Sequence, residues 1–327
     1  MLVVVSFLVA APAVSAWADY PVGDLRQYDL VVINNLTPSQ EVEGRTIVGG
    51  SILSGGSENF GIHLNSTFNS SNNLIVGGNV SSSTTLQYGD LAVSSSATVS
   101  KTPNFNGGNG TGIVRTDVSN LSNDLKQTLT SVSTNLEGMA SQGGAQISAP
   151  ASPTNYTFTT SAANTVGGVA IFNVAGSFFS SQNVQSIGLN NAAGATSIIF
   201  NVSGTTDTVS DNFTGNFQQG TTDQSILFNF YQATSLSTTT QVQGSILAPL
   251  ATLTNTTAIN GSVFVGTMAQ QGEVHLPNEN IANFAPGSNL YTGIFPSTSA
   301  VPEPASIALS LAGLGLVGLG LRRRRRA

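Results

Sequence analysis

Cysteine is absent from this chain of 327 residues, which excludes disulfide staples, thiolate metal sites and cysteine nucleophiles. Charge is also scarce. Only 8% of residues are Asp, Glu, Lys or Arg, about a third of the usual share. Histidine occurs only twice, at His63 and His275, so no zinc set can be completed from His and Cys. Basic residues are fewer still outside the C-terminus: of the 10 Lys and Arg, five are the run Arg322 to Arg326. The remainder carries Arg26, Arg45, Lys101, Arg115 and Lys126 against 16 acidic residues, a net charge of about −11. Such a body is repelled by phosphate backbones, which argues against a nucleic-acid partner.

What replaces charge is Gly, Ser, Thr and Asn. Thr and Val favour pleated sheets, and Gly and Asn fit turns, so the composition predicts a mainly β chain. A phrase recurs in which glycine precedes a small polar residue and then apolar ones: Gly49-Gly50-Ser51-Ile52-Leu53, Gly77-Gly78-Asn79-Val80, Gly244-Ser245-Ile246-Leu247 and Gly261-Ser262-Val263-Phe264-Val265. The first pair is 28 residues apart and the last pair 17. Short strands and turns repeating at such intervals predict an irregular β-solenoid, β-helix-like, with glycine at corners of positive φ; a β-sandwich is the alternative. The runs Phe158–Thr160, Val169–Val174, Ser197–Val202 and Ile226–Tyr231 are largely apolar, as expected for strands with both faces buried.

One segment has a different period. Leu121, Leu125, Leu129, Val132 and Leu136 fall on one helical stripe, and Asp124, Lys126 and Gln127 fill the opposite face. This spacing predicts one amphipathic α-helix between Val118 and Met139 packed alongside the solenoid, capped by Ser119 or Asn120 and closed by Gly138.

The two ends read as addresses. Met1 to Ala10 is apolar, and Ala16 and Ala18 suit signal peptidase, so residues 1–18 are expected to be a signal peptide. No Lys or Arg precedes the apolar run, which suggests a translation start further upstream. At the other end Val301-Pro302-Glu303-Pro304 precedes an uncharged span of seventeen residues, Ala305 to Leu321, then Arg322, Arg323, Arg324, Arg325, Arg326 and Ala327. The span predicts a C-terminal hydrophobic helix at the short end of bilayer-crossing length, with the arginines held in the cytoplasm. This order resembles the PEP-CTERM sorting signal. That resemblance implies handling by an exosortase, a membrane protease of Gram-negative, exopolysaccharide-making bacteria, with Val301 to Pro304 recognised and Glu303 a recognition residue rather than a catalytic one. Residues 285–300, rich in Pro, Gly, Ser and Thr, are expected to be a flexible linker.

Between the ends, several ordered phrases resemble a bacterial extracellular family called choice-of-anchor A, described as an adhesive domain: Tyr28–Ile33, Val42–Gly50, Gly244–Pro249, Ile259–Val263 and Gly272–His275. The resemblance spans about Val22 to Phe284, within a domain expected over 19–284. It implies a β-rich extracellular domain with an adhesive or matrix role and no catalytic residues to carry over.

The candidate chemistry is thin. Close carboxylate pairs are Glu41 with Glu43, Asp207 with Asp211, and Glu273 with Glu279. Glu41 and Glu43 share one face of a strand and are solvent-facing if Val42 points inward. His275 and Glu273 share a side, as in a structural pair. Asp207 to Asp211 lacks the glycine and terminal Glu of an EF-hand loop, which leaves Ca²⁺ at turns the only cofactor open. Gly107 to Gly110 lacks a phosphate-loop pattern. A polysaccharide-acting enzyme is the main alternative, with no catalytic residue assigned. An ice-binding surface is a third reading, for which Thr252-Leu253-Thr254 is one suitable unit without a fixed sequence repeat. The sequence therefore predicts a non-enzymatic, exported surface or matrix protein. Its expected partners are exosortase and the membrane during sorting, and exopolysaccharide thereafter.

Overall fold

A computed structural model describes residues 23–106, 112–139, 145–218, 222–277 and 284–296. The expected signal peptide, the Val301–Pro304 motif, the hydrophobic span, the five arginines and the Gly107–Gly110 turn lie outside these residues. Among the described residues no helix is long and apolar enough to cross a membrane.

Turns interrupt the chain every few residues, so each strand is short and satisfies its backbone by pairing with strands of neighbouring coils. Eleven such strands form one wall: β1 Leu30–Val32, β2 Thr46–Val48, β3 Asn72–Val76, β4 Asp90–Ser94, β5 Ile113–Thr116, β6 Ala145–Ile147, β7 Val169–Ala175, β8 Ser197–Ser203, β9 Ile226–Phe230, β10 Ser245–Asn255 and β11 Val263–Gln270. Their order in space is β6-β7-β8-β9-β10-β11-β1-β2-β3-β4-β5, and every neighbouring pair is parallel. The stacking is solenoid-like, but the chain enters it in the middle. It builds outward to β5, crosses through the helix to β6 at the far end, and builds back until β11 lies against β1.

That seam is paired along all three walls. Leu30 to Val32 register with Val263 to Val265, Leu36 and Thr37 with Met268 and Ala269, and Val42 bridges Val274. Val263 N–H donates to Asp29 O at 2.7 Å and Ile33 N–H to Val265 O at 2.9 Å, while Glu43 N–H donates to Val274 O at 2.9 Å.

Successive residues of the first wall point alternately into the coil interior and outward. The inward Phe172, Phe200 and Phe228 stack in register, with centroids 5.2 and 4.8 Å apart. The outward row runs Asn173, Asn201, Asn229, Leu247, Phe264, Val31, Ile47, Ile75 and Ala92. Helix α1, Leu121–Gly138, covers part of it with the predicted Leu/Val stripe, all five of whose residues are buried. Three of the four apolar runs, at 169–174, 197–202 and 226–231, are explained by this double burial; Phe158–Thr160 differs, because Phe158 is buried and Thr159 is exposed.

Three local expectations differ. Asn120 occupies the N-cap but makes no side-chain cap bond, and Ser119 Oγ donates to Asp117 instead. Gly138 is the last helical residue and Met139 the C-cap. The helix is held by packing and by amides: Asn229 Nδ2 donates to Ser133 O and Asn201 Oδ1, both at 2.9 Å, while Ser133 Oγ donates to Asn229 Oδ1 at 2.6 Å. Asn201 Nδ2 donates to Leu136 O at 2.9 Å. The linker expected over 285–300 differs up to residue 296, because Leu290, Tyr291 and Phe295 are buried and Phe295 packs on Phe264 with centroids 5.2 Å apart. Finally, the recurring glycines serve two purposes. Gly244 and Gly261 have φ of 124° and 150°, the expected corners. Gly49 and Gly77 lack positive φ and are needed because a Cβ on either would collide with a backbone oxygen of the adjacent coil.

Asn229→Ala leaves Ser133 and Asn201 with buried groups unpaired, so it is expected to destabilise the fold by roughly 2–4 kcal/mol in urea unfolding. A loss below about 0.5 kcal/mol would show that the amides do not hold the helix.

Candidate functional site

The second wall presents the most regular surface. Here the buried row Asp207, Leu236, Leu253, Met268, Leu36, Ile52 and Val80 continues through the partly buried Val99. The alternation of a strand places the flanking residues outward. One outward row registers Thr206, Ser235, Thr252 and Thr267; the other registers Thr208, Ser237, Thr254, Ala269 and Thr37. The first row continues across the seam through Asn35, Ser51, Asn79 and Thr98. There the side chains of Asn35, Ser51 and Asn79 each accept the backbone N–H of the next coil: Ser51 N–H to Asn35 Oδ1 at 2.8 Å, Asn79 N–H to Ser51 Oγ at 2.9 Å, and Thr98 N–H to Asn79 Oδ1 at 2.8 Å.

Hydroxyls and amides are thus spaced about 4.8 Å between coils and about 6.7 Å along each strand, with no charge in either row. The unit Thr252-Leu253-Thr254, isolated in sequence, is repeated in space by Thr206-Asp207-Thr208 and Ser235-Leu236-Ser237. Its repeat is hidden in the sequence because the intervening turns differ in length. Thr206, Ser235 and Thr252 are exposed, and Thr208, Ser237, Thr254 and Thr267 are half-buried. Such an array can hydrogen-bond a regular, neutral, hydroxyl-bearing or water-ordered surface through many weak contacts.

The third wall carries the carboxylates, and the seam gathers them. Val42 is inward, as expected, but Glu43 is not solvent-facing: it is only 5% exposed. Its Oε2 accepts Leu276 N–H at 2.8 Å and lies 3.2 Å from His63 Nδ1. His275 Nε2 sits 2.6 Å from Glu273 Oε2 and 3.9 Å from Glu43 Oε1, while His275 Nδ1 meets Asn260 Oδ1 at 3.1 Å. Glu41 accepts from Asn59 Nδ2 at 2.7 Å. The two histidines, 212 positions apart in sequence, therefore meet at one buried carboxylate. Gln243, Asn260, His275 and Glu43 form one lateral row because Val242, Ile259, Val274 and Val42 stack beneath them. The sequence signal for His275 with Glu273 was their spacing of two; nothing local signalled His63.

Asp207 and Asp211 do not form a loop site. Asp207 is buried at the end of the inner row, against Gly176 and Gly204. Among the described residues no group of three or more His, Asp or Glu side chains is placed to hold a metal ion.

Comparison with known proteins gives two matches along the chain. A family model described as Putative Ice-binding-like adhesive domain matches residues 21–276, close to the extent expected from the ordered phrases. A PEP-CTERM protein-sorting motif matches residues 300–325. No curated protein and no solved structure matches.

The interior also holds carboxyls whose titration is shifted in one direction. Burial pushes Glu58 up to about 9, the Gln40 backbone and the Gln270 side chain offsetting only part. Burial, and then the neighbouring Glu43, hold Asp29 well above the ordinary range against the Gly44 N–H that it accepts. Burial raises Asp223 to about 7 and Asp211 to about 6. Each raised group is protonated in the fold at a pH where the unfolded chain has released the proton. Its stabilisation is therefore complete below the ordinary carboxylate range and is lost as pH rises through the shifted value. Thermal stability is expected to fall steadily between pH 5 and pH 9. Glu58→Gln is expected to flatten that slope, by as much as about 1.4 kcal/mol per pH unit. Identical slopes for the wild type and this variant would contradict the assignment.

Proposed function

Because this chain belongs to the ice-binding-like adhesive domain family, we propose that its body is an adhesive β-solenoid whose second wall is the contact face. Its PEP-CTERM motif makes it an exported surface protein handled by an exosortase. In our reading it is non-enzymatic and resides at the outer surface or in the exopolysaccharide matrix of a Gram-negative bacterium. The observation that carries the adhesive reading is the pair of uncharged Thr/Ser/Asn rows running across coils on both sides of the seam. A neutral polysaccharide fibre offers hydroxyls in a comparably regular array, and binding grows with the number of coils engaged. Against catalysis stands the engagement of the seam carboxylates with partners of the same chain, Glu43 with Leu276 and His63 and Glu41 with Asn59.

One observation favours a second reading. The stacked Thr-x-Thr, Ser-x-Ser and Thr-x-Thr units also suit ordered water, so the same face could hold the protein on ice. Two assays separate the readings: co-sedimentation with the host's exopolysaccharide, and thermal hysteresis. Thr252→Tyr, at an exposed position, is expected to change folding stability by less than about 0.5 kcal/mol while reducing polysaccharide co-sedimentation severalfold. Undiminished co-sedimentation removes the second wall from the adhesive role, and thermal hysteresis without co-sedimentation moves the function to ice.

The tail supplies a separate expectation. Pro302-Glu303-Pro304 presents one carboxylate between two rigid residues ahead of the apolar span, a recognisable entry for a protease. With Glu303→Ala, uncut protein is expected to accumulate in the membrane fraction of an exosortase-bearing host. Release of protein of unchanged mass, as in the wild type, would contradict a recognition role for Glu303.

A further inference from the structure

The amide row under α1 is covered only in part. Its members stack in register as Gln146, Asn173, Asn201 and Asn229. The last turns of α1 engage Asn201 and Asn229, whose amides donate to Leu136 O and Ser133 O. Asn173 lies one coil beyond that cover. Its side chain is buried, and among the described residues neither Nδ2 nor Oδ1 has a hydrogen-bond partner. An amide buried without partners is costly, on the order of 1–3 kcal/mol, so its retention needs a reason.

Asn173 lines a cleft of about 370 Å³ together with Gln146, Glu137, Ser203 and Tyr231. That volume falls within the range of small-molecule sites, ~300–1,000 Å³. Tyr231 and Ser203 lie beside Glu137 in this lining. We propose that this cleft is a binding site for one neutral or amine-bearing sugar ring, with the Asn173 amide as its central contact.

The chemistry selects that class. Asn173 and Gln146 each offer one acceptor and a pair of donors, which match the donor and acceptor hydroxyls of a vicinal diol. Glu137 accepts from a third hydroxyl or an amine, and Tyr231 contributes an amphipathic ring. An apolar ligand would strand these polar groups. An anion is excluded by charge, because Glu137 lies in the last turn of α1, where the helix end is itself negative and no basic residue compensates. Uronic acids and phosphorylated sugars therefore do not fit. The inference goes beyond the adhesive reading and is independent of the second wall, since none of its residues belongs to the Thr/Ser/Asn rows.

The test is saturation-transfer NMR of the full chain with glucose, galactose, mannose, N-acetylglucosamine, glucosamine and glucuronate. The expected result is saturable transfer to at least one neutral or amino sugar, with Kd on the order of 1 mM, and none to glucuronate. The Asn173 side chain makes no hydrogen bond among the described residues, so Asn173→Ala is expected to fold normally and to weaken binding at least tenfold; the surface change Glu137→Gln does the same without touching the core. Thr252→Tyr is expected to leave this binding unchanged. Absence of transfer to every neutral and amino sugar overturns the proposal, as does transfer that survives both cleft variants.

Discussion

Everything in this structure depends on the parallel pairing of β1 with β11. The chain builds two stacks of coils in opposite directions from one starting point, and this seam joins their sheets into a single column. Without it, β1 and β11 would each present an unpaired edge of buried, apolar backbone, the arrangement that invites aggregation. The joint is not a single contact: Leu30–Val32, Leu36–Thr37 and Val42 each pair with the coil that closes the chain.

Each wall inherits its properties from that joint. On the first wall, the outward row is continuous from Leu247 and Phe264 into Val31 and Ile47, giving Leu121 to Leu136 of α1 and the segment at Tyr291 and Phe295 one apolar bed to pack on. On the second, Thr267 and Ala269 pass into Asn35 and Thr37, so the hydroxyl rows extend across both halves. On the third, the joint brings His275 of the last coil beside Glu43 of the first, and His63 closes over the same carboxylate. A long uncharged face that could meet a polymer, and a low charge content that keeps it uncharged, are thus consequences of one topology. The sorting motif at 300–325 marks the chain that carries this face for export.

The local elements were legible in the sequence. Three of the four apolar runs became strands because coil stacking buries one face and α1 or a neighbouring segment the other, whereas the run at Phe158 is buried on one face only. The Leu stripe became the helix, and the Gly phrases mark corners or close approaches. What no local pattern contains is which coil stacks on which. Reading Glu43 as solvent-facing from Val42 was sound for a lone strand; the seam places Leu276 and His63 over it. Thr252-Leu253-Thr254 looked solitary because its spatial repeats at 206–208 and 235–237 are separated by turns of unequal length. Asn201 and Asn229 sat inside apolar runs as a visible anomaly, and that anomaly was the signal of helix contact. Tyr291 and Phe295 were hidden in a Pro/Gly/Ser/Thr-rich stretch, where composition outweighed two aromatic anchors.

The seam can be tested directly because the chain has no cysteine. Thr37 and Ala269 are register partners across it, at a Cα separation of about 5 Å, as in any parallel pair and within disulfide reach. A Thr37→Cys, Ala269→Cys double variant is predicted to cross-link, by oxidation or with a short bis-maleimide, in native buffer and not in denaturant. Failure to cross-link in the folded protein, or equal cross-linking after unfolding, would contradict the closed column and the continuous face built on it.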